Sequence, residues 1–176
     1  PDLAKTARMF SNHGRVSKYD HEFIGLNSRL DGLQAAILGV KLNYLDQWSQ
    51  RRRDIAYFYS KSLANELATP VAEDLEKSVY HLYVVQVEKR ESLQDYLKSK
   101  GISTGIHYPI PLPELKAYKN LVDDKDVFPI ASRLSKKILS LPIHGNMDLE
   151  EADYVVKNVK SFLEGKKERP QEIESF

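Results

Sequence analysis

Residues 30–68 read LDGLQAAILGVKLNYLDQWSQRRRDIAYFYSKSLANELA, the longest periodic segment of the chain. At about 100° per residue, Leu30, Leu33, Ile37, Val40, Tyr44 and Trp48 fall within a stripe roughly 80° wide. Gly32, Ala35, Ala36 and Gly39 line another face, where each glycine costs about 1 kcal/mol of helix propensity relative to alanine. Close approach of another backbone is the usual return for that loss. Leu38, Leu42 and Leu45 fill a third sector, so the first half is apolar around most of its circumference. A surface helix does not carry that pattern. The segment therefore predicts one long helix held between two bodies, either domains or subunits, with room for a kink at 43–46. From about Ser49 it becomes ordinarily amphipathic through Ile55, Phe58, Tyr59 and Leu63.

Beyond Pro70 the period changes. SVYHLYVVQV (78–87) is β-branched and aromatic with apolar residues on both faces, which predicts a covered strand. SLQDYLKSKG (92–101) predicts a short helix closed by Gly101. ISTGIHY (102–108) alternates as a second strand, and Pro109, Pro111 and Pro113 force a loop after it. A helix is expected from about Asp126 to Ser140, and LSLPI (139–143) as a short extended piece. The last helix opens on a capping box, Asp148 with Glu151, with Met147 placed as a hydrophobic staple. Its buried face reads Leu149, Ala152, Val156, Val159 and Leu163, with Gly165 as the stop, and the remainder is polar. The order of elements is that of a small α/β layer preceded by a long helix.

Composition narrows the function. Among 176 residues, 26 Lys plus Arg balance 25 Asp plus Glu, so a net charge of +1 gives no electrostatic argument for nucleic acid or an anionic membrane. The absence of cysteine excludes thiolate catalysis and cysteine-ligated zinc. No stretch approaches the roughly 18 apolar residues of a membrane helix. Histidines 13, 21, 81, 107 and 144 lack metal-ligand spacing, so no metal site is expected. Arg51, Arg52 and Arg53 spread over about 200° of a helix and predict a solvated face with partners such as Asp54, not a nucleic-acid patch. A cytoplasmic protein is expected. The chain opens on Pro1 and its methionines are Met9 and Met147, so it reads as beginning inside a longer product.

Two segments carry candidate chemistry. NHGRVSKYDHEFIGLNSRLDGLQAAIL (12–38) starts with a turn at Asn12, His13 and Gly14, is basic through Arg15 and Lys18, and reaches Asn27 before the apolar helix. Asn27 offers an amide donor where anions are favoured; the competing reading makes Asn27 or Ser28 the cap of that helix. GIHYPIPLPE (105–114) is a strand end entering a proline-rich loop. His107 and Tyr108 would point to opposite sides there, leaving open a packed Tyr with an exposed His.

Both segments resemble the DegT/StrS family of pyridoxal-phosphate-dependent sugar aminotransferases. SNHGRVSKYDHEFIGLNSRLDGLQAAIL and the following KLNYLDQWSQRRRDIAYFY match its asparagine-to-glutamine block. GISTGIHYPIPLPELKAY matches its IHYP loop, and LSLPIHGNMDLEEADYVVKNVKSFL its closing strand and helix. Pro113 stands where the family often has histidine.

The resemblance implies the carboxy-terminal part of a fold-type-I PLP transferase. The expected division is 1–29, the end of a large PLP-binding domain with its basic loop; 30–68, the connecting helix; 69–165, a small α/β domain with a short, mostly antiparallel sheet; and 166–176, a polar tail. It implies a homodimer with composite active sites, a nucleotide-linked keto-sugar as acceptor and an amino acid, glutamate, as donor. It assigns Asn27 to the PLP phosphate of the neighbouring subunit, His107 and Tyr108 to the sugar and its diphosphate, and Arg15 and Lys18 to anionic groups. No catalytic residue is assigned within the chain, because the family's cofactor-bearing lysine lies upstream of the HG turn. A PLP-dependent sugar dehydratase on the same scaffold and a non-catalytic dimerisation or sensor module are the alternatives.

Overall fold

A computed structural model of the chain describes residues 2–70, 78–118, 120–121 and 128–167, with side chains to residue 165. The chain divides into two compact units, Pro1–Leu45 and Asp46–Phe176.

The first unit opens with helix α1 (Asp2–Phe10) and continues in a looped segment to helix α2 (Gly32–Leu42). Asp31 is the N-cap of α2, so neither Asn27 nor Ser28 caps it. Every residue of α2 is exposed, including Leu33 at 75% and Val40 at 63%. A Cβ added at Gly32 or Gly39 would meet nothing within 4 Å. Apolar on nearly all sides yet buried on none, α2 has the composition of an interface helix without a covering surface among the described residues.

The segment expected as one helix over 30–68 forms two: Asn43 and Tyr44 are turn residues, and helix α3 runs Leu45–Leu63. Asn43 has small-side-chain chemistry that competes for backbone groups, and its Nδ2 donates to the Gly39 carbonyl.

In the second unit, strand β1 (Tyr83–Gln86) pairs antiparallel with strand β2 (Ile138–Leu141), Val84 opposite Ser140. Helices α4 (Arg90–Ser99), α5 (Pro129–Ser135) and α6 (Leu149–Lys167) complete it, with two 3-10 turns at Leu112–Glu114 and Lys116–Tyr118. Ile55, Tyr59 and Leu63 of α3 join Tyr83, Val85, Leu93, Leu97, Leu139 and Val159 in one core, each fully buried. The unit is helix-rich with a small antiparallel sheet, a partial α/β domain.

Local signals hold. Gly101 takes φ +75°, and the Ile102 and Gly101 N–H groups donate to the Leu97 and Lys98 carbonyls, a Schellman closure of α4. Asp148 and Glu151 exchange backbone-to-side-chain bonds of 3.0 and 2.8 Å, and Met147 is buried.

Four expectations change. Residues 102–108 are not a strand; within them only Gly105 forms a β-bridge, to Ser140. The helix expected to Ser140 ends at Ser135, and its expected start at Asp126 lies outside the described residues. Residues 138–141 form β2, where Leu139 and Leu141 fill the core, in keeping with the extended piece expected at 139–143. In α6, Leu149 is 49% exposed, Val155 is buried, and the helix passes Gly165 to Lys167. Arg52 is not solvated either: its Nη1 donates to the Tyr80, His81 and Ile143 carbonyls at 3.1, 3.3 and 3.0 Å.

Candidate functional site

In the first unit, loop closure places the candidate residues. His13 N–H donates to the Leu26 carbonyl (2.8 Å), Leu26 N–H to Phe10 (2.7 Å) and Ser28 N–H to Ser11 (2.9 Å). These bonds set Asn12 opposite Asn27 in an isolated antiparallel bridge. Glycine is required at the crossing. Gly14 takes φ +69°, and a Cβ there would lie 1.7 Å from the Phe23 carbonyl oxygen; one at Gly25 would lie 2.3 Å from the Gly14 nitrogen. The stacked rings of Phe10 and Phe23, 6.4 Å apart, back the crossing.

Asn27 is exposed, and its Oδ1 accepts from Arg29 Nε at 3.1 Å. That engages the oxygen end of the amide and leaves the Nδ2–H donors to other partners. Beside it in the bridge, Asn12 has a buried Oδ1 with no partner among the described residues. Such an orphaned oxygen calls for a donor, from water or a bound molecule. A second bridge joins Arg15 and His21, and His21 Nδ1–H donates to the His13 carbonyl at 2.9 Å. Arg15 and Lys18 are exposed beyond the crossing, with Lys18 Nζ 5.1 Å from the Tyr19 ring centre. One loop thus carries Arg15, Lys18 and Asn27, all donors.

In the second unit, His107 and Tyr108 do not diverge. Their rings meet edge-on, with centres 5.5 Å apart, and the peptide between them is cis. His107 is half-buried and its Nδ1 lies 2.9 Å from Ser140 Oγ, whereas Tyr108 is 71% exposed. The packing is the reverse of a buried Tyr with an exposed His. The missing Cβ of Gly105 makes room for the imidazole, since one there would stand 2.6 Å from His107 Cε1.

Beyond Tyr108 the proline loop covers an apolar cavity of about 470 Å³, lined by Ile110, Leu112, Leu134, Ser135 and Ile138 among others. Ser140 escaped the sequence reading, and Arg52 was read only as part of a solvated face. Ser140 sits between leucines in a run too short to show which face it takes, and the carbonyls that Arg52 holds are remote in sequence. Among the described residues no group of acidic or histidine side chains is placed to hold a metal ion, and no helix is long and apolar enough to cross a membrane.

Comparison with known proteins covers both segments. The model of the DegT/DnrJ/EryC1/StrS aminotransferase family matches residues 1–160. A dTDP-3-amino-3,6-dideoxy-alpha-D-galactopyranose transaminase from Aneurinibacillus thermoaerophilus is 43% identical over 162 residues, 92% of this chain and 44% of that protein. The crystal structure of S. venezuelae DesV in complex with ketimine intermediate superposes with a TM-score of 0.87 at 36% identity, covering 97% of this chain and 46% of that one. A DegT DnrJ EryC1 StrS aminotransferase from Brucella abortus gives 0.86 at 32% identity, covering 92% and 43%. The chain spans less than half the length of each of these relatives.

Proposed function

The chain belongs to the DegT/DnrJ/EryC1/StrS aminotransferase family, whose aminotransferases depend on pyridoxal 5'-phosphate, and we propose that the intact protein carrying it transfers an amino group from an amino acid to a nucleotide-linked keto-sugar. Glutamate is the proposed donor, a homodimer the proposed assembly and the cytoplasm the proposed location. The family match across residues 1–160 is the observation that carries this reading. The transaminase name of the Aneurinibacillus relative supports transamination over dehydration or a non-catalytic module.

The residues present fit a phosphate-bearing cofactor at one point. With Oδ1 accepting from Arg29, Asn27 still has its two N–H donors to offer, and ionised phosphate oxygens accept. When bound, the cofactor supplies the carbonyl chemistry that carries nitrogen between donor and acceptor. Asn27 would bind its phosphate across the proposed dimer. His107 and Tyr108 would hold the sugar and its diphosphate, and Arg15 and Lys18 would meet anionic groups. The lysine that bears the cofactor is proposed to lie in the part of the protein preceding residue 1. Residues 1–29 would close the larger, cofactor-binding domain, and 69–165 would form the smaller one.

The test follows labelled nitrogen from glutamate into a panel of keto-sugar nucleotides, using intact protein. Label in an aminosugar product supports the proposal; loss of water from the sugar without label transfer would overturn it in favour of dehydration. His107→Ala should lower kcat/KM for the keto-sugar while the half-reaction with glutamate keeps most of its rate. Equal losses in both would withdraw His107 from the substrate.

A further inference from the structure

Ser140 is 3% exposed, and with Ser135 it is a buried polar residue of the second unit among the described residues. Its backbone is fully used. The Gly105 N–H donates to the Ser140 carbonyl (3.1 Å), the Ser140 N–H donates to the Gly105 carbonyl (2.7 Å), and Ser140 stands opposite Val84 in the β1–β2 ladder. The sheet therefore sets the direction in which the Ser140 Cβ points, and the buried surroundings and the contact to His107 define where its Oγ lies. Among the described residues, His107 Nδ1 lies within hydrogen-bond distance of that Oγ, at 2.9 Å. Gly105, next to Ser140 in the bridge, leaves the space in which the imidazole lies.

A ring fixed at Nδ1 by a buried group presents the other nitrogen in one direction only. We infer that Ser140 is a positioning residue: its hydroxyl donates to His107 Nδ1, holding the imidazole over Gly105 in the form that carries its proton on Nε2. The Nε2–H is then a donor ready for an oxygen acceptor of the nucleotide-sugar. A phosphate or keto oxygen accepts hydrogen bonds, so a ring with the proton on Nδ1 and a bare Nε2 would face it lone pair to lone pair. Without Ser140 both neutral forms become available, and the ring is free to turn about its side-chain torsions. This inference rests on the proposed contact between His107 and the sugar-nucleotide, and it adds how that contact is set.

The experiment uses the intact protein with nitrogen-labelled histidine. The His107 imidazole signals, assigned by loss in His107→Ala, should show the Nε2–H form in the native protein and a mixture in Ser140→Ala. In separate half-reactions, Ser140→Ala should lower kcat/KM for the keto-sugar by roughly threefold to tenfold and spare the glutamate half-reaction. Ser140→Thr, which restores a hydroxyl, should recover both the spectrum and the rate. Adding Ser140→Ala to His107→Ala should cost nothing more. If Ser140→Ala does not fold, Gly105→Ala displaces the ring by direct contact and should give the same kinetic pattern with Ser140 intact.

An Nδ1–H form in the native protein, or a spectrum unmoved by Ser140→Ala, overturns the inference while leaving the substrate role of His107 standing. A spectrum that moves as expected, with His107→Ala harmless to the keto-sugar half-reaction, removes the substrate contact and the positioning role with it.

Discussion

Arg52 and Ile143 lie 91 residues apart in sequence, and the Arg52 guanidinium donates to the Ile143 carbonyl at 3.0 Å. The same Nη1 reaches the carbonyls of Tyr80 and His81, so one side chain of α3 ties the approach to β1 to the exit from β2. A hydrogen bond from a charged donor is worth about 1.5–3 kcal/mol, and losing it strands the part-buried carbonyls of Tyr80 and Ile143. Arg52→Met should therefore lower the unfolding free energy by about 2 kcal/mol in chemical denaturation. Arg51→Met, on an exposed position of the same helix, is the control and should change little.

Tyr59 is fully buried and donates its hydroxyl proton to the Pro142 carbonyl at 2.9 Å. Burial, with the neighbouring Tyr83 and Glu151 adding to it, raises its pKa above the ordinary tyrosine value. Burial raises Tyr83 as well, opposed in part by hydrogen bonds from Ser60 and Thr69. The unfolded chain loses these protons first, near pH 10, while the folded chain still holds them. Stability supplied by the neutral phenols is thus complete below about pH 10 and falls as pH climbs toward the raised folded values. Thermal melts from pH 8 to 11 should show that fall, and it should be shallower in Tyr59→Phe. A parallel decline in both proteins would count against Tyr59 as its source.

Asn27→Ala in the intact protein should weaken PLP binding by roughly tenfold to a hundredfold, the loss of one hydrogen bond to a charged group. Because Asp31 caps α2, helix content and melting temperature should not change. Spectrophotometric titration with the native dissociation constant would leave Asn27 without a cofactor role. A lowered melting temperature instead would mean that Asn27 supports the loop.

Gly39→Leu meets open space in the chain itself, since nothing lies within 4 Å of the added Cβ. In the proposed homodimer the same substitution should overpack the covered face of α2 and cost about 1–3 kcal/mol. Analytical ultracentrifugation should register weaker association, with little change in the secondary structure seen by circular dichroism. Unchanged association together with an unchanged melting temperature would place Gly39 outside any interface.

Features decided within a few residues were readable from the sequence. Gly101 ends α4 because only the next turn matters, and Asp148 and Glu151 cap α6 by reaching three residues. The turn at Asn12, His13 and Gly14 is local as well, with His13 at φ 62° and Gly14 at φ 69°. Elements decided by remote partners were not readable. Ile102, Thr104 and Ile106 alternate like a strand, yet of this stretch only Gly105 pairs with β2. Leu139 and Leu141 were readable as extended, but their pairing with Val85 and Tyr83 of β1 is decided by the core. In the candidate site, Asn27 and His107 were recognisable by motif, whereas Ser140 acquires its meaning only when the sheet brings it to His107.

The crossing at Gly14 and Gly25 divides the first loop into two parts with different freedom. Neither glycine accepts a side chain, so the base of the loop, with Asn27 on it, tolerates almost no mutational drift. Residues 16–20 lie beyond the Arg15–His21 bridge, where Val16, Ser17, Lys18, Tyr19 and Asp20 are all exposed. Insertions and charge swaps at that tip leave the crossing intact. A lineage with this loop can change the charge of its tip without redrawing the position of Asn27, so the two properties are free to evolve at separate rates.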